Sequence, residues 1–281
     1  MNAFVHDAVF PLVDELIVRI QQHKIEPHFS AEVTRRENNV ARPFTSENEI
    51  FDAYAQVISL SNGSKSELVE TIIKNGKLAA AIHSYDVEKM AQANPCDLID
   101  ASWADLGAAL RRKSKLLQLT LAARAIVRSG GLMKVFNQAQ LPIRVQSVAD
   151  IDQFWKGLNL LRLKMVELDM PYLKAHTSLL HFLLHTGYDC GKPDSAVMGV
   201  ASKWGMARGK TPKAQENDLL AVVRMMQEYG VARGIRPPLI DFYMLIEGHQ
   251  SWASKHVKAS YYQGRSLRPT ANDTRAEDVS A

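Results

Sequence analysis

The chain lacks the features that define several common classes of protein. Only two of its 281 residues are cysteine, Cys96 and Cys190, which is too few for a disulfide framework or a four-thiolate zinc site. No run approaches the roughly 18 apolar residues of a membrane span. The P-loop pattern GxxxxGK[ST], the esterase pattern GxSxG and the dinucleotide pattern GxGxxG are also absent. These absences argue against disulfide-stabilised, membrane-spanning, P-loop, α/β-hydrolase and Rossmann proteins.

The chain does have enough apolar side chains to bury one or two sizeable cores, since 46% of its residues are hydrophobic. The opening text MNAFVHDAVFPLVDEL carries Asp7, Asp14 and Glu15 where a signal peptide would have a basic region. We therefore expect a soluble, cytoplasmic protein with no membrane partner. The net charge of +4 permits nucleic-acid binding without requiring it.

Apolar residues recur at helical spacing along most of the chain and predict an all-α protein. Ser46 followed by Glu49 is a capping-box pattern, which predicts a helix over residues 48–60. Residues 24–45 are polar and irregular, so we expect a long connection there, and Pro142 makes residues 141–146 an extended linker. Further helices are expected at 4–23, 65–74, 76–83, 86–93, 103–108, 112–129, 131–138, 150–167, 174–186, 194–204, 212–230 and 237–253.

The most informative stretch is LLHFLLHTGYDCGKPDSAVMGV, residues 179–200. An apolar helix ends at Gly187, and Pro193 forbids helical continuation through its own ring. Asp194 then stands at the mouth of the next apolar helix, where unpaired N–H groups and the helix dipole favour a carboxylate. Two interpretations remain open from these residues alone, a plain helix cap and a functional carboxylate.

The order of these parts resembles the helix-hairpin-helix DNA glycosylases. That superfamily has a helix, a short turn, a second helix and then a loop with an aspartate. Here the turn begins LDMP, the second helix ends at Gly187, and the loop GYDCGKPD ends with Asp194. Residues 51–64, 73–94, 110–126 and 237–249 are similar to its other helices, so the resemblance covers about residues 45–255. It is nearest to the branch that removes alkylated, 3-methyladenine-type or otherwise modified bases.

The resemblance implies a two-lobed helical fold with a DNA-binding cleft between the lobes. Residues 1–45 would form an N-terminal helix and connection packed on the C-terminal lobe, and residues 46–145 would form the first lobe. Residues 146–256 would form the second lobe, with both the hairpin and the Asp loop. The polar residues 257–281 are expected to be a disordered tail.

The same resemblance assigns candidate roles to individual residues. Asp194 would be the catalytic carboxylate, and Tyr54 and Trp155 would line the base pocket. The partner would be double-stranded DNA that contains a modified base. The protein would be a bacterial-type, nucleoid-associated monomer. Asn62 would fill the gap that the flipped base leaves in the duplex. The residues expected to contact that DNA are Asn62, Tyr172, Lys174, His176, Lys192, Lys203, Arg111 and Lys113.

The turn of the hairpin departs from the family, which usually has Leu-x-Gly-Val-Gly where this chain has residues 170–173, MPYL. No lysine occupies the position of the family's Schiff-base lysine, so we expect a monofunctional enzyme.

Two cysteines do not support the iron–sulfur or zinc sites of some relatives. His181 and His185 have the spacing of a metal site without a third ligand nearby, so we expect no metal and no cofactor.

Two alternatives to the enzyme remain open. The missing hairpin glycines favour a non-catalytic DNA-binding protein on the same scaffold, whereas the retained Asp194 favours the enzyme. A helical interaction module with no nucleic-acid role would place the two basic clusters, residues 111–115 and 203–213, in unrelated directions.

Overall fold

The computed structural model describes residues 3–61 and 63–263, and it is 71% helical. These ranges contain fifteen α-helices and no β-strand, with an isolated bridge between Lys24 and Val257. The all-α expectation is therefore confirmed. Within the same ranges, no helix combines the length and hydropathy needed to cross a membrane.

The helices, numbered in chain order, are α1 Ala3–His23, α2 His28–Asn38, α3 Glu47–Leu60, α4 Ser66–Lys74, α5 Lys77–Ala81, α6 Val87–Gln92, α7 Pro95–Leu110, α8 Ser114–Arg128, α9 Met133–Ala139, α10 Val148–Glu167, α11 His176–His185, α12 Ser195–Lys203, α13 Pro212–Arg233, α14 Pro237–Glu247 and α15 Ser251–Ser254. Short 3₁₀ turns occur at His83–Tyr85 and Ala259–Tyr262.

The chain divides into two compact units. The outer unit combines the chain up to Asn39 with the chain from Asp189, and the inserted unit runs Val40–Tyr188. The N-terminal segment thus joins the C-terminal part of the chain in one compact unit. The boundary between residues 145 and 146 is not found. Because α10 packs on α9 and α11 packs on α3, the hairpin belongs to the inserted unit and not with the Asp loop.

The centre of the outer unit is α14, the helix PPLIDFYMLIE. Ten of its eleven residues are buried, as expected of a helix that is apolar on nearly all sides. The helices α1, α2, α12, α13 and α15 all pack against it. This arrangement places the start of α12, and with it the Asp loop, directly against α14.

The inserted unit is organised around α3 and α8, which pack on each other. The capping box predicted at the start of α3 is present, since the Ser46 hydroxyl accepts from the Glu49 N–H at 3.2 Å. The Glu49 carboxylate reaches back to the Thr45 N–H at 2.8 Å. At the other end of the unit, the Ala41 N–H donates to the Gly187 carbonyl at 3.0 Å, which ties its entry to its exit.

Two sequence-based expectations about irregular segments are wrong. Residues 24–45 contain the helix α2. The sequence does not predict it, because one of its two buried residues, Phe29 and Arg36, is an arginine and not an apolar residue. The expected disordered tail begins too early, because Val257 and Tyr261 lie in the outer core. Residues 264–281 lie outside the described residues.

We expect Leu16→Ala to lower the free energy of unfolding by about 2–5 kcal/mol, because Leu16 is fully buried in the outer core. Val18 lies on the same helix and is 57% exposed, so Val18→Ala is the matched control and should cost less than about 0.5 kcal/mol. Urea unfolding of the full chain measures both. Equal effects would show that α1 does not hold this face against the core.

Candidate functional site

Asp194 is the N-cap of α12. Its Oδ1 accepts hydrogen bonds from the N–H groups of Ala196 at 3.0 Å and Val197 at 3.1 Å. The residue is half-buried, and no donor in the described chain contacts its Oδ2. The helix therefore fixes the direction of this carboxylate through one of its two oxygens.

The residues 189–194, here called the Asp194 loop, begin at a buried ion pair. Arg236 donates from Nε to Asp189 Oδ1 at 2.8 Å, and its Nη2 lies 2.6 Å from the same oxygen. The Nη1 of Arg236 donates to the carbonyls of Arg36, Glu37 and Asn39 at the C-terminal end of α2. One guanidinium thus joins the start of the loop to α2.

A second buried carboxylate holds the middle of the loop. Asp241, on α14, is 1% exposed, and its Oδ1 accepts from the Lys192 N–H at 2.8 Å. Its Oδ2 lies 3.3 Å from Nη1 of Arg36, on α2. The start and the middle of the Asp194 loop are therefore both attached to α2, the start through the hydrogen bonds of Arg236 and the middle through the ion pair of Asp241 with Arg36.

Arg36 is itself held from several sides. Its Nε donates to Glu32 Oε1 at 2.8 Å, and its Nη1 donates to the Pro238 carbonyl at 2.7 Å. Its guanidinium lies 5.0 Å from the ring centre of Phe242 and 5.5 Å from that of Trp252. Cation–π contacts of this kind stabilise a desolvated arginine. The counter-charge of Asp241 is consequently held by contacts on several sides.

The loop is also closely packed between its two ion pairs. Cys190 is completely buried, and burial raises the pKa of its thiol. A Cβ on Gly191 would lie 2.3 Å from Met226 Sδ and 3.3 Å from Asp241 Oδ1, so glycine lets the backbone approach the carboxylate. The Gln227 side chain donates to the Asp189 carbonyl at 2.9 Å. We conclude that the loop is a rigid support for Asp194.

The hairpin turn lies in the inserted unit and borders a groove of about 880 Å³, here called the α8 groove. Tyr172 and Lys174 line it together with Arg128, Leu117 and Leu121 of α8. Lys174 forms an ion pair with Asp169 at 2.5 Å and stands before α11 instead of within it. Of the expected DNA contacts, the structure brings Tyr172 and Lys174 together here.

The two residues expected to line a base pocket do not line the α8 groove. Tyr54 is completely buried and donates to the Pro171 carbonyl at 3.0 Å, so it supports the hairpin turn from the core. Trp155 is half-buried and packs edge-on against Phe154. His176 is the first residue of α11 and is buried.

The remaining candidates are spread over both units. Arg111 and Lys113 are exposed between α7 and α8, and the Lys113 Nζ lies 5.8 Å from the ring centre of Trp103. Lys203 is exposed at the end of α12, whereas Lys192 contributes its backbone N–H to Asp241. Asn62 lies outside the described residues.

The histidines with metal-site spacing both contact neutral side chains. The Tyr172 hydroxyl lies 3.0 Å from His181 Nδ1, and His185 Nε2 lies 3.2 Å from Gln56 Oε1. Within the described chain, no group of three or more histidine, cysteine, aspartate and glutamate side chains is arranged to hold a metal ion.

Lys115 does not belong to a solvated basic cluster, contrary to its place in the sequence. It is 1% exposed, and its Nζ donates to the Ser59 carbonyl at 3.1 Å, to the Ser61 carbonyl and to the Ser64 hydroxyl. Burial and the nearby Arg112 lower its pKa to about 8. This side chain closes the C-terminal end of α3 and the turn that follows it.

Sequence reasoning missed the residues that hold the Asp194 loop. One signal was available, because Asp241 is the only charge between Pro237 and Ile246 in an apolar helix, and such a charge must be paired. Nothing in the sequence marked Arg36 as its partner, since α2 has no apolar period.

Comparison of the chain with protein-family models, with curated proteins and with solved structures finds no match in any of the three. The resemblance to the helix-hairpin-helix glycosylases therefore depends on the motifs themselves.

The stability of the outer unit should depend on the ionisation of Asp241. Burial raises the pKa of this carboxyl from 3.8 to about 6, so between these values the native protein holds the proton more tightly than the unfolded chain. The free energy of unfolding of the wild type minus that of Asp241→Asn should therefore fall as the pH rises from about 4 to 6. Urea unfolding across this range measures the difference. A difference that rises with pH would contradict it.

We expect Lys115→Met to lower the free energy of unfolding by about 1–3 kcal/mol, because the Ser59 and Ser61 carbonyls and the Ser64 hydroxyl lose a charged donor and the two carbonyls keep only Ser64 as a donor to share. Lys113→Met is the control on an exposed neighbour and should cost no more than about 0.5 kcal/mol. Thermal or urea unfolding separates the two variants. Indistinguishable stabilities would show that the contacts of Lys115 add nothing to the inserted unit.

Proposed function

We propose that this chain is a monofunctional DNA glycosylase that flips a damaged or modified base out of the duplex and hydrolyses its N-glycosidic bond. The observation that carries the proposal is the Asp194 carboxylate. One of its oxygens caps α12, and no hydrogen bond in the described chain reaches the other. Its loop is fixed by the buried pairs Asp189–Arg236 and Asp241–Arg36.

The chemistry needs one well-placed carboxylate. The bond between C1′ and the base nitrogen breaks with both electrons leaving on the base, and positive charge develops on the sugar. Asp194 stabilises that charge and orients a water. The water oxygen then bonds to C1′, its proton passes to the carboxylate or to solvent, and an abasic sugar remains.

The surroundings of Lys174 support hydrolysis without a covalent lysine intermediate. A lysine nucleophile must be desolvated in order to lose its proton near neutral pH. The Lys174 side chain is 47% exposed and paired with Asp169. Alkylated purines are the expected substrates, because a cationic base is an activated leaving group.

Non-specific contact with DNA would come from the inserted unit. Lys174 and Arg128 place two cations on the α8 groove beside the hairpin turn. The helix α11 begins directly after the hairpin turn, and the N-terminal end of a helix favours an anion such as a phosphate. Binding through such contacts weakens as salt is raised.

A non-catalytic DNA-binding protein is the second candidate, and the hairpin turn favours it. Tyr172 has a left-handed backbone with φ of 67°, and its hydroxyl is engaged by His181, where the family has glycines. The two cap bonds of Asp194 also account for that residue without any chemistry.

We expect Asp194→Asn to lower the rate of base release by about 10²–10⁴-fold. Asparagine is an equally good N-cap, so the melting temperature should not change. The assay uses duplexes that carry alkylated, oxidised or otherwise modified bases, with alkali added afterwards to reveal abasic sites. Asp86→Asn is the matched control, because Asp86 is the N-cap of α6 in the inserted unit.

Alkali-dependent cleavage by the wild type and by Asp86→Asn, but not by Asp194→Asn, is the expected result. Cleavage without alkali would contradict the monofunctional assignment. The absence of base release from every duplex, with salt-sensitive binding intact, would favour the non-catalytic protein.

A further inference from the structure

The peptide that precedes Pro193 connects Asp241 to Asp194. The Lys192 N–H donates to Asp241 Oδ1 at 2.8 Å, and the Lys192 carbonyl accepts from the Asp194 N–H at 2.7 Å. The second bond closes a three-residue turn around Pro193, whose ring fixes its own φ. Few soft dihedral angles therefore remain between the anchored Lys192 peptide and the backbone of Asp194.

We propose that Asp241 is a positioning residue for the Asp194 carboxylate, acting through the Lys192 peptide and the turn at Pro193. The inference rests on the proposed glycosylase function, because positioning has a catalytic meaning only if Asp194 performs the chemistry. Asp241 itself is 1% exposed and lies inside the outer core.

The neighbouring helix α2 makes this arrangement possible. A carboxylate that is completely buried is stable only with a counter-charge and hydrogen bonds. Arg36 supplies the charge from α2, and Glu32 on the same helix orients the guanidinium. Asp194 and Cys190 are the other titratable groups that act on Asp241, and neither supplies a positive charge.

Removing Arg36 alone would leave Asp241 without a counter-charge in the core, and removing Asp241 alone would leave Arg36 with Glu32 as its carboxylate partner, so each single substitution perturbs stability for reasons unrelated to position. Replacing both members by neutral side chains avoids this effect and is often tolerated. The double variants R36M/D241L and R36M/D241N are matched in this respect. They differ in whether residue 241 still offers an acceptor to the Lys192 N–H.

The first measurement is amide hydrogen exchange in the full chain, without DNA. In R36M/D241L we expect the Lys192, Ala196 and Val197 amides to exchange about tenfold faster than in R36M/D241N, at equal global stability. Equal exchange at Ala196 and Val197 in the two variants would overturn the proposal, because the loss of the anchor would then not reach the Asp194 cap.

The second measurement is single-turnover base release together with duplex affinity. R36M/D241L should release base about 10–100-fold more slowly than R36M/D241N, with the duplex Kd unchanged within about twofold, because misplacement acts on the chemical step. Equal rates would overturn the positioning role. If the wild type releases no base, the proposed function fails, and the exchange comparison still decides whether Asp241 positions Asp194.

Should R36M/D241L fail to fold, R36M/D241N is compared with the wild type. Retained protection of the Lys192 amide, within about threefold, is the result expected of a retained acceptor. Loss of that protection would overturn the proposal.

Discussion

A carboxylate buried within an apolar helix imposes the main constraint on the outer unit. Asp241 cannot stay ionised inside α14 unless a positive charge is brought to it, and Arg36 is that charge. Since Arg36 lies on α2, the N-terminal segment must pack against helices that the chain forms more than 150 residues later. The composition of the outer unit from both ends of the chain follows from this pairing and from the core that α1 shares with α13 and α14.

The same constraint determines how the Asp194 loop is built. Each of its two carboxylate–arginine pairs uses α2, one through the Arg36 side chain and the other through carbonyls at the end of the helix. Gly191 allows the backbone to come close to Asp241, and the turn at Pro193 carries the anchored peptide on to Asp194. A carboxylate held in this way needs little reorganisation when charge develops nearby, which is the general basis of electrostatic catalysis.

The sequence was informative where the structure is locally determined. Ser46 with Glu49 predicts the start of α3, and Pro193 with Asp194 predicts the start of α12. Both helix starts depend on residues that are a few positions apart in the sequence. It was uninformative where distant residues decide. One of the two buried residues of α2 is Arg36. An arginine in a sequence normally indicates a solvated position, so the pattern of α2 does not predict a packed helix.

Lys115 shows the same limitation in the inserted unit. It lies in a basic run, yet its partners are carbonyls more than fifty residues earlier in the chain. The division into units also escaped prediction, because the packing partner of the hairpin helix α11 is α3, more than a hundred residues before it. Such assignments need the three-dimensional contacts.

The most direct test of the account is a double-mutant cycle on Arg36 and Asp241. The free energies of unfolding of R36M, D241N and the double variant are compared with that of the wild type at neutral pH. If α2 and the Asp194 loop are joined through this pair, the two substitutions should be non-additive by about 1–3 kcal/mol, with the double variant more stable than the sum of the singles predicts. Additivity within about 0.5 kcal/mol would mean that the two residues act independently and would contradict the account.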